Sequence, residues 1–382
     1  MSGVTAVLLG AGEASRKPTP GRTAVDLAVE ASLDAIADAG IEIGDIDGVV
    51  TGYSLAEQHL DFSADLAESL GIRPQWSQTN SRSGATGASI VVSAILAVLG
   101  GACTTALATW ADNRASGPPA DIAGVLASQL SGFEAANGPL IATQYALIAR
   151  SYMARWNAGP EDLAGVAVQF RRHAALNENA KYRTPITVED VLSSPMASSP
   201  LHLLECALVT DYGGAVVVTR SDAMPRTPDA IHVLGFGEAL SHQSILRNQE
   251  LFDTGVTAAA RSSQLAYEMA GMTARDLTMA QIYDCFTITV LMLMEDFGLC
   301  GRGEAGAAVR NGLLDRDGRL PSNTNGGMLS CASGGILHVT EAVRQMRGTA
   351  GAHQLATLPE TALVHGNGGI LGAQTTMLFG RR

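Results

Sequence analysis

The sequence predicts an α/β protein assembled twice over from strand–helix–strand units. Three observations carry that reading. Similar segments recur in the same order in both halves, and short apolar runs alternate with helical patterns. The 46% apolar content is also poor in aromatics, at 5%. An apolar fraction made mostly of Ala, Val, Ile and Leu suits helices packed on a buried sheet. A length of 382 residues fits two domains or one large layered one.

The repeat has three collinear parts. Ala39-Gly40-Ile41-Glu42-Ile43-Gly44-Asp45-Ile46 resembles Ala270-Gly271-Met272-Thr273-Ala274-Arg275-Asp276-Leu277. Gly87 to Gly100 resembles Gly335 to Gly348, and Thr105-Ala106-Leu107-Ala108 resembles Thr361-Ala362-Leu363-Val364. Any one match is weak, but three in order indicate duplication. Val4 to Leu9 reads as a buried strand. Thr23, with Asp26 three residues on, starts a helix that Gly40 closes. Asp26, Glu30, Asp34 and Asp38 recur every fourth residue and make one solvated stripe on that helix. Ala88 to Leu99 is apolar nearly all round and belongs inside. Strand, helix, strand, helix, strand in each half predicts a mainly parallel sheet covered on both faces. Two such sheets then sandwich the buried helices.

Residues 111 to about 200 have no counterpart in the second half and read as an insertion over the site. Ser116 to Pro139 looks irregular, and a helix follows over Leu140 to Trp156. Between residues 150 and 183 the insertion carries six basic residues against three acidic ones, in a chain of net charge −12. A cluster of that kind is either a solvated helix face or a landing site for a phosphorylated ligand. The overall acidity argues against nucleic-acid binding. Five cysteines with no CxxC argue against structural zinc and a disulfide framework, and for a reducing, cytoplasmic setting. No signal peptide and no membrane span is read.

Gly10-Ala11-Gly12-Glu13 follows a strand but lacks the third glycine of a dinucleotide loop, and reads as a tight strand-to-loop turn. The chemistry gathers in the last third. Tyr283 and Asp284 stand at a strand end. Asn323 to Gly335 is a polar, glycine-rich loop leading into a helix. His365 ends a strand among glycines, and its position suggests little packing. Strand-end loops are where open α/β folds bind ligands. A helix N-terminus there can hold a developing oxyanion. Together the three loops suit enolate chemistry.

These motifs resemble the thiolase superfamily over essentially the whole chain. The likeness is closest to the sterol-carrier-protein thiolase branch and its non-thiolytic relatives, the steroid side-chain aldolases. The carrying residues are Tyr283-Asp284-Cys285-Phe286-Thr287, Gly326-Gly327-Met328-Leu329-Ser330, Glu341 to Gly348 and His365-Gly366-Asn367-Gly368-Gly369. The resemblance implies an αβαβα sandwich of two βαβαβαββ halves with an inserted loop domain. The implied boundaries are 1–110 with 200–230, 111–199 and 231–382.

The departures are specific. Gly84 stands where thiolases carry the acyl-accepting cysteine. Cys331-Ala332-Ser333-Gly334 replaces the Gly-His-Pro loop, and His365 replaces the second cysteine. Tyr283 replaces a histidine, as in the aldolase-like relatives, whereas Ser333 stands where those relatives commonly have a second tyrosine. A glycine cannot hold an acyl group, whereas a retro-aldol cleavage needs only a base, an oxyanion site and an acid. The implied activity is therefore cleavage of a bulky β-hydroxyacyl-CoA, steroid-derived or aromatic. Its alternatives are an acyltransferase with a relocated nucleophile, Cys331 or Cys285, and a silent acyl-CoA-binding subunit.

The catalytic candidates are Tyr283, His365, His338 and Ser333. Gly84, Asn325, Gly334, Gly335, Asn367 and Gly368 are expected at the oxyanion and substrate. Arg171, Arg172, Lys181 and Arg183 are expected at the CoA phosphates. Coenzyme A enters only as part of the substrate, with no permanent cofactor and no metal. The resemblance also implies a homodimer and a small zinc-ribbon/OB-fold companion, often in a two-plus-two complex.

Overall fold

The computed structural model describes residues 5–14, 21–117, 134, 136, 141–223, 230–242 and 244–381. Most of the segment read as irregular between Ser116 and Pro139 lies outside these. In the first half the order is β1 (Ala6–Glu13), α1 (Ala24–Ala39), β2 (Gly48–Gly52), α2 (Phe62–Leu70), β3 (Trp76–Asn80), α3 (Thr86–Leu99) and β4 (Thr105–Asn113). Then come α4 (Ile141–Trp156), α5 (Pro160–Ala174), α6 (Val188–Ser193), the small pair β5 (Met196–Ser198) and β6 (Leu201–His202), and β7 (Asp211–Arg220). The second half holds β8 (Ile231–Leu240), α7 (Gln249–Thr254), α8 (Ala258–Ala270), β9 (Met279–Gln281), α9 (Thr287–Asp296) and α10 (Ala305–Arg310). It ends with α11 (Gly327–Ser330), α12 (Leu337–Arg347), β10 (Thr361–Gly368) and β11 (Ala373–Gly380).

The repeat is a repeat of structure. Thr23 and Thr257 cap α1 and α8 with their hydroxyls. Gly40 and Gly271 close those helices in the left-handed region at φ 66° and 63°. A single 3₁₀ turn follows each, at Ile43–Asp45 and Ala274–Asp276. β2 then pairs in parallel with β4 as β9 pairs with β10.

The sheet differs from the expectation in two respects. It is mixed: β2–β3, β2–β4 and β9–β10 are parallel, and β4–β7, β7–β1, β1–β8, β8–β11 and β11–β10 are antiparallel. Only the strands joined through helical crossovers stay parallel, because β7 and β11 return beside them in the opposite sense. The two half-sheets also meet edge to edge, at Val7–His232 and Leu8–Ile231. One nine-stranded sheet results, ordered β3-β2-β4-β7-β1-β8-β11-β10-β9. It wraps around the buried helices: α3 touches β2, β4 and β7 on one side and β10 and β11 on the other, and α12 bridges β1 and β7 to β9 and β10. Helix, half-sheet, buried helices, half-sheet and helix follow as layers. Ala88, Ile90, Val91, Ile95, Leu337, Val339 and Val343 fill the middle layer.

Two local readings are corrected. Gly10 and Gly12 lie within β1, not in a turn. A Cβ on either would stand 2.1 Å from the Ala35 carbonyl oxygen or 2.2 Å from that of Ala31, so the glycines let α1 press onto the strand. The acidic stripe of α1 is only partly solvated. Asp38 and Asp34 accept the backbone N–H groups of Ala11 and Glu13, and they meet Arg347 and Arg344 of α12. Among the described residues no helix is long and apolar enough to cross a membrane.

Candidate active site

Three chain segments converge where α3, α12 and β10 meet. Their contact is glycine on backbone. A Cβ on Gly87 would lie 2.2 Å from the Ile336 amide nitrogen, and one on Gly368 would lie 2.0 Å from the Arg82 carbonyl oxygen. Neither helix has a side-chain cap, because Ala85 and Ile336 occupy the cap positions. Two uncapped helix N-termini therefore face the same point, and their partial positive charge suits an anion.

Tyr283 fills the space above Gly84. A Cβ on Gly84 would stand 2.1 Å from the Tyr283 hydroxyl oxygen and 2.5 Å from the Asn367 carbonyl oxygen. The phenol occupies the place that a nucleophilic side chain would need. Tyr283 is 6% exposed, and among the described residues its hydroxyl has no hydrogen-bond partner. Burial pushes its pKa well above 10, with nearby Cys285 adding to the rise and Arg114 opposing it. Tyr283 therefore keeps its proton.

Behind it stand His338 and Asp284, both fully buried, with Nε2 3.3 Å from Oδ1. The Tyr283 and His338 rings meet edge to face, with centroids 6.0 Å apart. Asp284 also accepts the amides of Met328 (2.9 Å) and Leu329 (3.2 Å), capping α11 and so locking the glycine-rich loop to the Tyr283 segment. The motif contains Asp284, but its spacing does not reveal this double task.

Other candidates are placed differently. His365 is fully buried and packs its ring on Phe297, with centroids 4.9 Å apart. Its expected freedom from packing is wrong, because its strand face is covered from behind. Burial depresses its pKa to about 3, with His338 adding to the effect and Gln374 opposing it. It is a neutral imidazole, not a group poised near neutrality. The Ser333 hydroxyl donates to the Leu208 carbonyl (2.5 Å) and accepts from the Thr210 amide (3.0 Å), so it clasps the loop. The Asn367 side chain is committed to Tyr145 and Gln374 and leaves its backbone carbonyl at the site. Asn325 accepts the Gly327 amide, and its Nδ2 is buried without a partner among the described residues. Gly334, at φ +122°, lies under Trp110 and Tyr212, and Gly335 packs against the Gly84 carbonyl and the Tyr283 ring.

The basic cluster divides. Arg171 is 5% exposed, bonds Ser330 and the Thr184 carbonyl, and lies over the Tyr182 ring. It is a buried structural cation, not a phosphate ligand, because its stem sits under the glycine-rich loop. Arg172, Lys181 and Arg183 are exposed. Lys181 and Tyr182 donate their amides to the carbonyls of Cys331 and Ser330, so this segment runs along the same loop.

The buried imidazoles make the fold acid-sensitive. His365 and His173 are held near 3 and 4 by burial, against 6.5 in the unfolded chain. Between those values the unfolded state binds protons that the native state does not, so stability falls as pH drops below about 6.5. His365→Gln is expected to remove on the order of 2 kcal/mol of the loss between pH 6.5 and 5, measured by urea unfolding. An unchanged slope would contradict a buried neutral His365.

Residues 237–381 match a family model described as thiolase C-terminal domain-like. The chain is 34% identical over 359 residues to a steroid side-chain-cleaving aldolase of Thermomonospora curvata, covering 90% of each. It is 30% identical over 366 residues to an acetyl-CoA acetyltransferase of Methanothermobacter thermautotrophicus, covering 93% of this chain and 94% of that one. It superposes on the solved Ltp2-ChsH2(DUF35) aldolase with a TM-score of 0.86 and 32% identity, covering 98% and 97% of the two chains. With its duplicated halves and its paired buried helices, the chain belongs to the thiolase superfamily, in the sterol-carrier-protein thiolase-like branch.

Proposed function

We propose that this protein is an acyl-CoA carbon–carbon lyase that cleaves a bulky β-hydroxyacyl-CoA by a retro-aldol reaction. The observation that carries the reading is the Tyr283 hydroxyl standing over Gly84, in the room a covalent nucleophile would occupy. Four of the five thiols support it. Burial raises Cys285 to about 11, and Cys103, Cys206 and Cys300 to about 12, so these are thiols and not thiolates at neutral pH. The likeness to the aldolases points the same way.

In this reaction the β-hydroxyl proton passes to His338, whose gained charge Asp284 shares. The O–H electron pair becomes the carbonyl of the leaving ketone or aldehyde. The Cα–Cβ bond breaks, and its electrons pass into the thioester as an enolate. Amides at the N-termini of α3 and α12, with the Tyr283 hydroxyl, hold the enolate oxygen. A proton returned to Cα gives the shortened acyl-CoA. No free CoA is consumed and no acyl-enzyme forms. Arg172, Lys181 and Arg183 are assigned to the CoA phosphates. A steroid-derived or aromatic acyl group, a homodimer, a zinc-ribbon/OB-fold companion and a cytoplasmic setting belong to the same proposal.

The test is incubation with such a hydroxyacyl-CoA, with and without the companion, in the absence of free CoA. A ketone or aldehyde and a shortened acyl-CoA are expected in equal amounts. Products that appear only when free CoA is added would instead make the protein an acyltransferase.

A further inference from the structure

We infer that Tyr145, on the inserted helix α4, is a positioning residue that sets the Asn367 end of the site through a buried hydrogen-bond chain. The inference rests on the lyase reading for its kinetic test and on geometry for its basis. The Tyr145 hydroxyl accepts from Asn367 Nδ2 at 2.9 Å and donates to the Gly369 carbonyl at 3.2 Å. Asn367 Oδ1 in turn accepts from Gln374 Nε2 at 2.9 Å, across the β10–β11 pair. Asn367 is thus held from both sides by its side chain, and its own carbonyl is left pointing at Gly84.

The chain lies in a place where it has few substitutes. Tyr145 is 1% exposed, and Asn367 and Gln374 are 1% and 0% exposed. In such a setting an unmade hydrogen bond is not replaced by water. The Tyr145 ring stacks on Phe286 with centroids 4.5 Å apart, which ties the same helix to the Tyr283–Thr287 segment. One side chain of the insertion therefore grips both strand-end segments that flank Gly84. The turn it grips is conformationally demanding, with Gly369 at φ 62° and Leu371 at φ 57°. Burial also holds the Tyr145 hydroxyl protonated, so its donor role does not vary across the neutral range.

Tyr145 does not touch Gly84 or Tyr283 in this scheme; it acts through Asn367. Tyr145→Phe keeps the ring and its stacking and removes the hydroxyl, with its two hydrogen bonds and its contact to the Cys285 thiol. With the β-hydroxyacyl-CoA as substrate, kcat is expected to fall about ten- to a hundredfold, with KM changed by less than about twofold. Asn367→Ala is expected to lose a similar factor, and the double variant no more than about twofold beyond Asn367→Ala alone, since both break one chain. Amide exchange of the 366–372 segment in Tyr145→Phe, measured by mass spectrometry on the otherwise native protein, is expected to quicken about tenfold or more. A folded Tyr145→Phe with unchanged kcat, effects that multiply in the double variant, or unaltered exchange in the 366–372 segment would each overturn the inference. Absence of lyase turnover in the unmodified protein would count against the lyase reading, and the exchange measurement would still decide the role of Tyr145.

Discussion

Tyr283→Phe is expected to lower kcat by about 10²- to 10³-fold while leaving the fold and KM nearly unchanged. The ring stays in place and only the hydroxyl goes. That hydroxyl has no hydrogen-bond partner among the described residues, so its removal leaves no buried group unsatisfied. Stability should hold or rise slightly, which separates a chemical role from a packing one. The measurement is paired: steady-state turnover of the hydroxyacyl-CoA and a thermal melt. A variant that keeps more than about half of its kcat would remove Tyr283 from the reaction. A variant that loses turnover and melts much earlier would mark the phenol as a structural prop.

Gly84→Ala should be more damaging and for a different reason. The added methyl would sit 2.1 Å from the Tyr283 oxygen and 2.5 Å from the Asn367 carbonyl, well inside contact distance. One of these atoms is backbone, held by the Tyr145 chain, and cannot swing away cheaply. Overpacking of this kind destabilises by about 1–3 kcal/mol, and the displaced phenol should take activity below detection. Gly84→Cys is expected to fare no better: it restores a thiol but not the space for it, so no acyl-enzyme should be trapped by intact-mass analysis. A well-folded, active Gly84→Ala protein would mean that Tyr283 is not fixed over this glycine.

Much of the fold was legible because duplication leaves a collinear signature, and because helix ends are written locally. Thr23 with Asp26, and Gly40 with Gly271, mark caps that depend on only a few neighbours. The antiparallel joins were not legible. β7 and β11 are apolar runs whose direction is set by where the chain returns, and the Val7–His232 edge contact joins residues far apart in sequence.

In the site, residue type was readable and orientation was not. Tyr283 and His338 lie side by side, which their motifs left open, and strand alternation decides which way His365 points, namely at Phe297. The Arg171 reading failed because a charge count does not distinguish an exposed guanidinium from one folded under a loop. Tyr145 carried no signal, since a tyrosine in an amphipathic helix reads as core. Asp284 was visible as a motif residue, but its partnership with His338 spans 54 positions and needs the fold.

The internal duplication also explains how a single tyrosine can command a cleft lined by two equivalent helices. With the halves in the register that equates Ala39–Ile46 with Ala270–Leu277, Gly48 corresponds to Met279 and Gly52 to Tyr283. The space that a Gly52 side chain would fill is taken by Trp110, whose Cδ1 lies 2.2 Å from where that Cβ would be. Two identical unfused chains would have presented a phenol on either side of their dyad, or on neither. Held in one chain, the twin positions differ: a tyrosine stands at one, and at the other a glycine whose room a tryptophan fills.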